Sequence, residues 1–481
     1  MNIRKLAIGA AALLLVVLGA YVASSFYFGS QIKSQMLAMP DKMSQVAPFL
    51  KVSANEYHSG LFKSTHDLAF EVPMPGSPKA PVFTLHSVIF HGPFPNLGAP
   101  GAARIEQTLV FDEATSQIIA KAFDGADPVK VVTTVNLGGD GNTVLTGAPL
   151  NFKAGEVSVL WKGFSGEMQF AKDMESYDVN FAAPLLMVTC GPGCSGNMKA
   201  LAFKSHTVKI PKMDLMTLGT AQFSLAEAAV MNEGKPAFVL KGVTANSDAS
   251  SKDGEFMEFV ARMAAAELTA GDFAATKLAY DFSGKHWHAQ SLENFIKSMQ
   301  AAQGSLAAAS GKGKAPDPAA AAAAIAPVMK VFSTEGLAFL QKDPVLGIDR
   351  VAFTTPDGEV QLNATARFAG VTAADMQNPM GLIAKIQADG SAKVPEVLIA
   401  NYLTGAQISA MKSQGREATP EEQEQVKAQS RAAIEPKIAE LALQGFLTRE
   451  NGILSAKASF KGGQLMVNDK PFGPGGAPPA Q

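Results

Sequence analysis

A histidine pair is the first feature of this 481-residue chain whose spacing suggests chemistry. His286 and His288 could place two imidazoles on one face of a strand, as a metal site requires, but no cysteine or carboxylate follows at the spacing of further ligands. The turn at 138–142 shares letters with calcium loops and lacks their ligand series. We therefore expect no metal and no other cofactor.

Catalytic motifs are likewise missing from the sequence. It contains no nucleophile elbow, no His-Glu-x-x-His and no phosphate loop. With no catalytic residue to name, we expect a protein that is not an enzyme. A hydrolase whose scattered carboxylates meet only in the fold is the alternative.

The two cysteines, Cys190 and Cys194, lie in the segment "TCGPGCSG". A disulfide between them would close a small loop in which Gly191, Pro192 and Gly193 readily turn the chain. Free thiols are one alternative. Redox or metal chemistry is another, although the spacing is one residue longer than that of a Cys-x-x-Cys motif. We expect the structural disulfide.

A proline-rich corner follows a strand-like run at His91-Gly92-Pro93-Phe94-Pro95. Because the two prolines cannot donate to a strand ladder, the strand must end or lie at an edge here. The sequence favours an architectural role, with Phe94 held rigidly as a plug for the end of a sheet. The alternative is that His91 and Phe94 grip a partner.

The N-terminus predicts a membrane anchor. Arg4 and Lys5 precede Leu6 to Phe28, which are free of formal charge and would span about 34 Å as a helix. We expect residues 1–5 in the cytoplasm of a bacterium, a single pass through the inner membrane at 6–28, and the rest in the periplasm. The alternative is a signal peptide cleaved after Ser24 or Ser25.

Alternation of apolar and polar residues recurs through most of the chain that follows. It is clearest at 67–72, 129–137, 177–181, 277–282 and 360–368. Strands with one apolar face belong to antiparallel sheets that are covered on one side. The sequence thus predicts a mainly β protein with helical segments (α+β), containing long, curved antiparallel sheets of about 12–18 strands in all.

The predicted helices come late in the chain. Leu292, Phe295, Ile296 and Met299 form a helical stripe, and Thr419 with Glu422 forms a capping box. We also expect a helix from Pro318 that Val328 to Leu340 continue, with a kink or stop near Pro327. The alternative for 304–324 is a disordered alanine- and proline-rich linker. The predicted regions are a stalk at 29–50, a β-rich region at 51–290, a helical segment with a low-complexity linker at 291–342, strands at 343–394, a helical segment at 395–446, a hairpin at 447–471 and a disordered tail at 472–481.

Two N-terminal motifs resemble those of the YdgA-like family of bacterial envelope proteins. The first is Tyr57-His58-x-Gly60-x-Phe62-x-Ser64, and the second is the corner His91-Gly92-Pro93-Phe94-Pro95. The resemblance implies an inner-membrane-anchored periplasmic protein without assigned catalytic activity. The cysteine pair and the polyalanine run depart from that pattern. The predicted architecture is also similar to that of AsmA-type proteins, whose curved sheets form lipid-handling grooves.

The sequence as a whole favours a tethered binding protein. Its near-balanced charge, 41 basic against 43 acidic residues, argues against a nucleic-acid partner. The apolar inner face of the sheet could receive a lipid or another hydrophobic client. The alternative is an envelope scaffold that forms homo-oligomers through exposed sheet edges.

Overall fold

The computed structural model describes residues 21–40, 51–71, 82–271, 273–310, 318–376, 379–413, 416 and 418–473. Strands make up 52% of the structure and helices are fewer, so the mainly β prediction with helical segments is confirmed. The chain divides into two units. The first comprises Met1–Val208 with Phe223–Lys235, and the second Lys209–Gln222 with Pro236–Gln481.

The first unit is an antiparallel sheet. A helix, α1, covers residues 21–37, and a second helix, α2 (Glu113–Ala122), follows the fourth strand. The strands are β1 (Lys51–His58), β2 (Lys63–Glu71), β3 (Val82–His91), β4 (Ala103–Phe111), β5 (Val129–Val135), β6 (Gly141–Gly147), β7 (Leu150–Ala154), β8 (Val157–Trp161), β9 (Phe164–Phe170), β10 (Ser176–Cys190) and β11 (Ser195–Lys209).

Pairing in the first unit follows chain order until the long strand β10. The order is β1-β2-β3-β4-β5-β6-β9-β10-β11, and the β7–β8 hairpin pairs with the far end of β10. Met36 of α1 packs against Ile89, Ala103 and Ile105 on the first strands of the sheet. The core of this part therefore lies beneath α1.

Several phenylalanines lie directly across from glycines on the neighbouring strand. Phe170 faces Gly141, and a Cβ at that glycine would lie 2.6 Å from the ring. The pair Phe164 and Gly147 repeats the arrangement on the same two strands. An aromatic ring that covers a glycine compensates for the missing side chain, so these pairs help to seal the sheet.

The second unit contains the remaining elements, except that strand β12 (Thr217–Asn232) has residues in both units. Its strands are β13 (Lys235–Ser251), β14 (Phe256–Ala270), β15 (Phe273–His288), β16 (Val345–Thr355), β17 (Gly358–Phe368), β18 (Ile386–Pro395), β19 (Thr448–Glu450), β20 (Ile453–Lys461), β21 (Gln464–Val467) and β22 (Lys470–Pro471). They pair antiparallel in the order β13-β14-β15-β16-β17-β18-β20-β21-β22, and β19 also pairs with β20.

The helices of the second unit are α3 (Ala289–Ser310), α4 (Pro318–Val331), α5 (Leu337–Leu340), α6 (Ala373–Met376), α7 (Pro379–Ala384), α8 (Glu396–Ser413) and α9 (Pro420–Leu443). In α3 the predicted stripe packs Leu292 and Ile296, both partly buried, against a core that contains Ile210 and Met257. The predicted capping box of Thr419 and Glu422 begins α9, with both of its hydrogen bonds present.

The helix from Pro318 continues past Pro327 to Val331 as α4, and a π-helical turn, Phe332–Gly336, joins it to α5. Two details differ from the sequence prediction. The described residues contain 22 strands instead of 12–18, because several strands of two to five residues are too short to show alternation. Helix α2 was not predicted. It begins where the side chain of Asp112 accepts a hydrogen bond from the Thr115 backbone N–H.

Several predicted regions fall outside the described residues. These are the cytoplasmic tip 1–5, residues 6–20 of the anchor, 41–50 of the stalk, 311–317 of the low-complexity linker and 474–481 of the tail. Phe472, the first residue of the predicted disordered tail, packs against Phe446. In the part of the chain that the structure describes, no helix has the length and apolar character needed to cross a bilayer.

Candidate functional site

The second unit contains an apolar cavity of about 300 Å³ between its sheet and its C-terminal helices. Strands β18 and β20 form the floor, and helices α8 and α9 form the roof. The lining residues are Ala392, Val394, Ile399, Ile434, Lys437, Ile438, Leu441, Leu447, Leu454, Ser455 and Ala456. This volume lies at the small end of the range for ligand pockets, and the aliphatic lining suits an apolar ligand.

Two alanines open the floor of the cavity. Ala392 and Ala456 lie directly opposite each other on β18 and β20, between the larger pair Val394 and Leu454 and the smaller pair Gly390 and Ala458 on the same face. Because two facing methyl groups fill less space than any other pair of side chains except those with glycine, they leave a depression in the sheet. The helices above cover this depression without filling it.

One arginine forms hydrogen bonds with both helices of the roof. Arg449 on β19 forms paired hydrogen bonds of 2.7 and 2.8 Å with Glu396 at the start of α8. It forms a second pair, at 2.7 and 3.0 Å, with Glu435 of α9. Hydrogen bonding to Arg449 lowers the pKa of the Glu435 carboxyl below its usual value. We call Arg449, Glu396 and Glu435 the arginine clamp.

A single lysine gives the cavity a charged side chain. Lys437 lies one turn from Ile434 on α9 and lines the cavity, although its side chain is largely exposed. In the described part of the chain no carboxylate pairs with its ammonium group. An anionic head group at the mouth could therefore bind Lys437 while its apolar tail occupies the interior.

Part of this site has a local signal in the sequence. Leu454 and Ala456 alternate with Ser455 and Lys457, as on one face of a strand, and Ile434, Ile438 and Leu441 have the spacing of a helical stripe. Nothing in the local pattern pairs Ala392 with Ala456 or selects Lys437. Those relations depend on which strands and helices become neighbours.

The two motifs that suggested the YdgA-like resemblance meet at one end of the first unit. Tyr57 of β1 lies opposite His66 of β2, and burial raises the pKa of its phenol while the Ser64 hydroxyl opposes that shift. His58 is exposed, whereas Ser64 is buried. The backbone N–H of Gly60 donates to Ser64 Oγ at 3.2 Å, which closes the turn between the strands.

Helix α1 covers the second motif. Ser25 is fully buried and donates a hydrogen bond to the carbonyl of Gly92, and Gly29 lies against the ring of His91. Gly92 and Pro93 are joined by a cis peptide bond, and Pro95 is buried. The corner is thus the surface on which α1 packs.

Two buried histidines beneath α1 each leave one ring nitrogen without a partner. His66 Nε2 donates to Asn55 Oδ1 at 2.7 Å, and His91 Nδ1 donates to the Leu61 carbonyl at 3.0 Å. His66 Nδ1 and His91 Nε2 accept no hydrogen bond. Burial lowers the pKa of His66, against the opposing charge of Asp67. The His66 ring is therefore suited to the neutral form.

The prediction that Phe94 plugs the end of the sheet is wrong. Its side chain is 44% exposed and stacks on Tyr21 of α1 at a ring distance of 6.4 Å. His91 and Pro95 are the buried side chains of this corner, and α1 contacts it through Ser25 at Gly92 and Gly29 at His91. Phe94 consequently points outward, beside Phe62.

The other candidate residues have structural partners. A disulfide joins Cys190 and Cys194 across the turn between β10 and β11. His286 stacks on Phe256 at 4.2 Å, and His288 Nδ1 lies 2.8 Å from the Ser291 hydroxyl. Among the described residues no group of three or more His, Cys, Asp or Glu side chains could hold a metal ion.

A second depression, of about 410 Å³, lies in the first unit at the 138–142 turn. Its lining is polar, and its two carboxylates already have partners. Asp140 accepts a hydrogen bond from Asn136 at 2.6 Å, and Asp178 lies 2.8 Å from His206. The apolar cavity of the second unit is therefore the better candidate site.

Comparison with family models places the chain in a family. The model of the family described as "Bacterial protein of unknown function (DUF945)" matches residues 3–474, and the chain belongs to this family. The match includes both N-terminal motifs and the apolar cavity. No curated protein and no solved structure matches the chain.

Proposed function

We propose that this DUF945 protein is tethered to the bacterial inner membrane and binds the acyl chain of a lipid or fatty acid in its second unit. The observation that carries the proposal is the aliphatic cavity under α8 and α9 with Lys437 as its charged side chain. An apolar cavity of this size gains binding free energy from burial of a hydrocarbon tail, at about 25 cal/mol per Å².

The tether is supported by the sequence. Residues 6–20 contain no formal charge, follow Arg4 and Lys5 and precede α1, and the two motifs resemble those of YdgA-like envelope proteins. A tether of this kind would hold the body next to the lipids from which a ligand could come. In this proposal the protein binds its ligand and catalyses no reaction.

The test is photocrosslinking with a fatty acid that carries a diazirine in its tail, applied to the full chain in detergent and mapped by mass spectrometry. We expect crosslinks in β18, β20, α8 and α9. Ala456→Phe should abolish them, because its ring fills the floor of the cavity. Ala458→Phe is the matched control, since Ala458 lies on the same strand, is exposed and does not line the cavity.

The outcome separates the proposal from its alternatives. Crosslinks that persist in Ala456→Phe, or that map mainly to other parts of the chain, would show that the cavity is not the binding site. Lys437→Met should weaken labelling by the fatty acid and leave labelling by an uncharged analogue, such as the corresponding alcohol, unchanged. If Lys437→Met reduced labelling by the fatty acid and by the alcohol equally, Lys437 would not be the residue that binds the head group.

A further inference from the structure

One end of the first unit exposes apolar side chains on two loops that lie beside α1. The β1–β2 loop exposes Leu61 and Phe62, each 44% exposed. The β3–β4 loop exposes Phe94 to the same extent and Leu97 to 91%. Together with Tyr21 we call these residues the apolar rim. The Tyr21 ring lies 5.5 Å from Phe62 and 6.4 Å from Phe94, so the two loops and the helix form one patch.

The fold maintains the exposure of this patch. The backbone N–H of Leu97 donates to the Phe94 carbonyl at 3.1 Å, and that of His91 donates to the Phe62 carbonyl at 2.9 Å, which fixes the loops relative to each other. Asn96 and Leu97 have φ values of 51° and 56°, in the left-handed region that a bulky residue such as leucine rarely adopts. Because the Leu97 side chain is exposed, no burial in the core offsets the cost of this backbone conformation.

We propose that the apolar rim inserts into the membrane surface and holds the first unit against the bilayer. The occupant is a bilayer because the uncharged residues 6–20 precede Tyr21 directly, so a membrane that contains them lies next to the rim. Aromatic side chains with one polar atom concentrate at this interface. Tyr21 fits that role, since its hydroxyl donates to the Phe94 carbonyl at 3.5 Å while its ring packs among apolar side chains.

This inference rests on the tether in the proposed function and adds a second contact with the membrane. A single anchor would leave the first unit free to tilt away from the bilayer. The rim restricts that motion, because four exposed apolar side chains would have to leave the lipid for the unit to tilt. Lys63 follows Phe62 directly and is available to anionic head groups beside the rim.

The test uses site-directed spin labels on the full chain in vesicles of phosphatidylethanolamine and phosphatidylglycerol. The two native cysteines form the disulfide, so an introduced cysteine is the only free thiol. Leu97→Cys and Phe62→Cys place the label on each loop of the rim. Lys153→Cys on β7 is the control, because five strands separate β7 and β8 from β3 in the sheet, at about 4.8 Å per strand.

Collisions with oxygen report lipid, and collisions with a water-soluble nickel complex report solvent. We expect oxygen collisions to exceed nickel collisions several-fold at Leu97 and Phe62 and the reverse at Lys153. Labels at the rim as nickel-accessible as the control would overturn the inference. Labels shielded from both reagents would also overturn it, in favour of a protein that covers the rim. Loss of the whole chain from the vesicles in alkaline carbonate would instead refute the tether.

Discussion

The imidazole of His91 lies so close to Gly29 of α1 that a Cβ at that glycine would be 2.7 Å from the Nδ1 and Cε1 atoms of the ring. This contact links the helix after the predicted anchor to the second N-terminal motif. It explains why a glycine occurs in the middle of a helix, where glycine costs about 1 kcal/mol relative to alanine.

Gly29→Val should therefore displace α1 from the corner. We expect the free energy of unfolding of the first unit to fall by about 1–3 kcal/mol, because His91 is held by Leu61 and has little room to move. Ala23→Val is the control, since Ala23 is exposed on the same helix. Urea unfolding in detergent measures the difference. Equal stability of the two variants would show that the contact between α1 and His91 does not matter.

The buried imidazole of His66 predicts a pH dependence. Its pKa in the folded protein lies below the ordinary value of 6.5, so the unfolded chain binds the proton first as the pH falls. We expect stability that is fully present above about pH 7 to decline as the pH falls through about 6.5. The decline should end once the pH is below the pKa of the folded state.

His66→Gln should reduce this pH dependence, because an amide does not titrate. The comparison is the urea midpoint at about pH 7.5 and about pH 5.5 in the wild type, in His66→Gln and in His58→Gln. His58 is exposed, so its variant should behave as the wild type does. If His66→Gln loses as much stability on acidification as the wild type, the protonation of another group controls the effect.

Glu293 of α3 predicts a large loss of stability on truncation. Its side chain is 1% exposed, and its Oε1 accepts the backbone N–H groups of Asp214 and Leu215 at 2.7 and 3.2 Å. Lys297 lies 2.8 Å away. Burial would raise the pKa of the Glu293 carboxyl, but these donors together hold the pKa below its usual value.

We expect Glu293→Ala to lower the free energy of unfolding of the second unit by about 2–4 kcal/mol, because two backbone N–H groups lose their buried acceptor. Glu293→Gln keeps an oxygen acceptor and should lose less. Thermal unfolding followed by circular dichroism gives the values. The explanation fails if the glutamine and alanine variants are equally unstable.

The arginine clamp predicts how readily the cavity opens. Arg449→Met should let α8 and α9 separate from the sheet more often, so that hydrogen exchange in the N-terminal turn of α8 becomes faster. Arg416→Met is the control, because the Arg416 side chain pairs with Glu422 at the start of α9 and, within the described ranges, forms no bond to α8 or β19. The backbone N–H of Arg416, which donates to the Met411 carbonyl of α8, is retained in this variant. Hydrogen exchange with mass spectrometry resolves both segments. Unchanged exchange in Arg449→Met would show that the clamp does not hold the roof.

Acid should weaken the same clamp. The pKa of Glu435 is lower in the folded state than its usual 4.5, so the contribution of the clamp is present above that value and is lost as the pH falls through the folded pKa. Exchange in α8 should therefore rise on acidification below about pH 4.5, after correction for the intrinsic rate. The effect should be absent from Arg449→Met.

The sequence predicted the elements of the fold better than their arrangement. Alternation along 360–368 and the stripe from Leu292 to Met299 are local, and both correspond to elements of the structure, β17 and α3. The capping box of Thr419 and Glu422 is also local. In contrast, the Ala392–Ala456 pair joins residues 64 positions apart in the chain, and no local pattern determines which strands become neighbours.

The N-terminal motifs show the same division. Their residues were recognised by spacing, and the end of β3 at His91 agrees with the proline-rich corner. The orientation of Phe94 depended on α1, whose Ser25 and Gly29 occupy the inward side of the corner. A helix packed from outside the sheet leaves no sign in the alternation of the strands.

The phenylalanine–glycine pairs have a consequence for folding. Long strands that repeat alanine and valine on alternate positions can slide past one another by two residues without exchanging their faces, so alternation alone tolerates misalignment. On β14 and β15 such a slide would place Phe259 opposite Phe282 or His286 instead of Gly284. Two rings would then compete for the space that one ring and a bare backbone share. Each phenylalanine–glycine pair therefore favours the native register of its two strands over a register shifted by two residues.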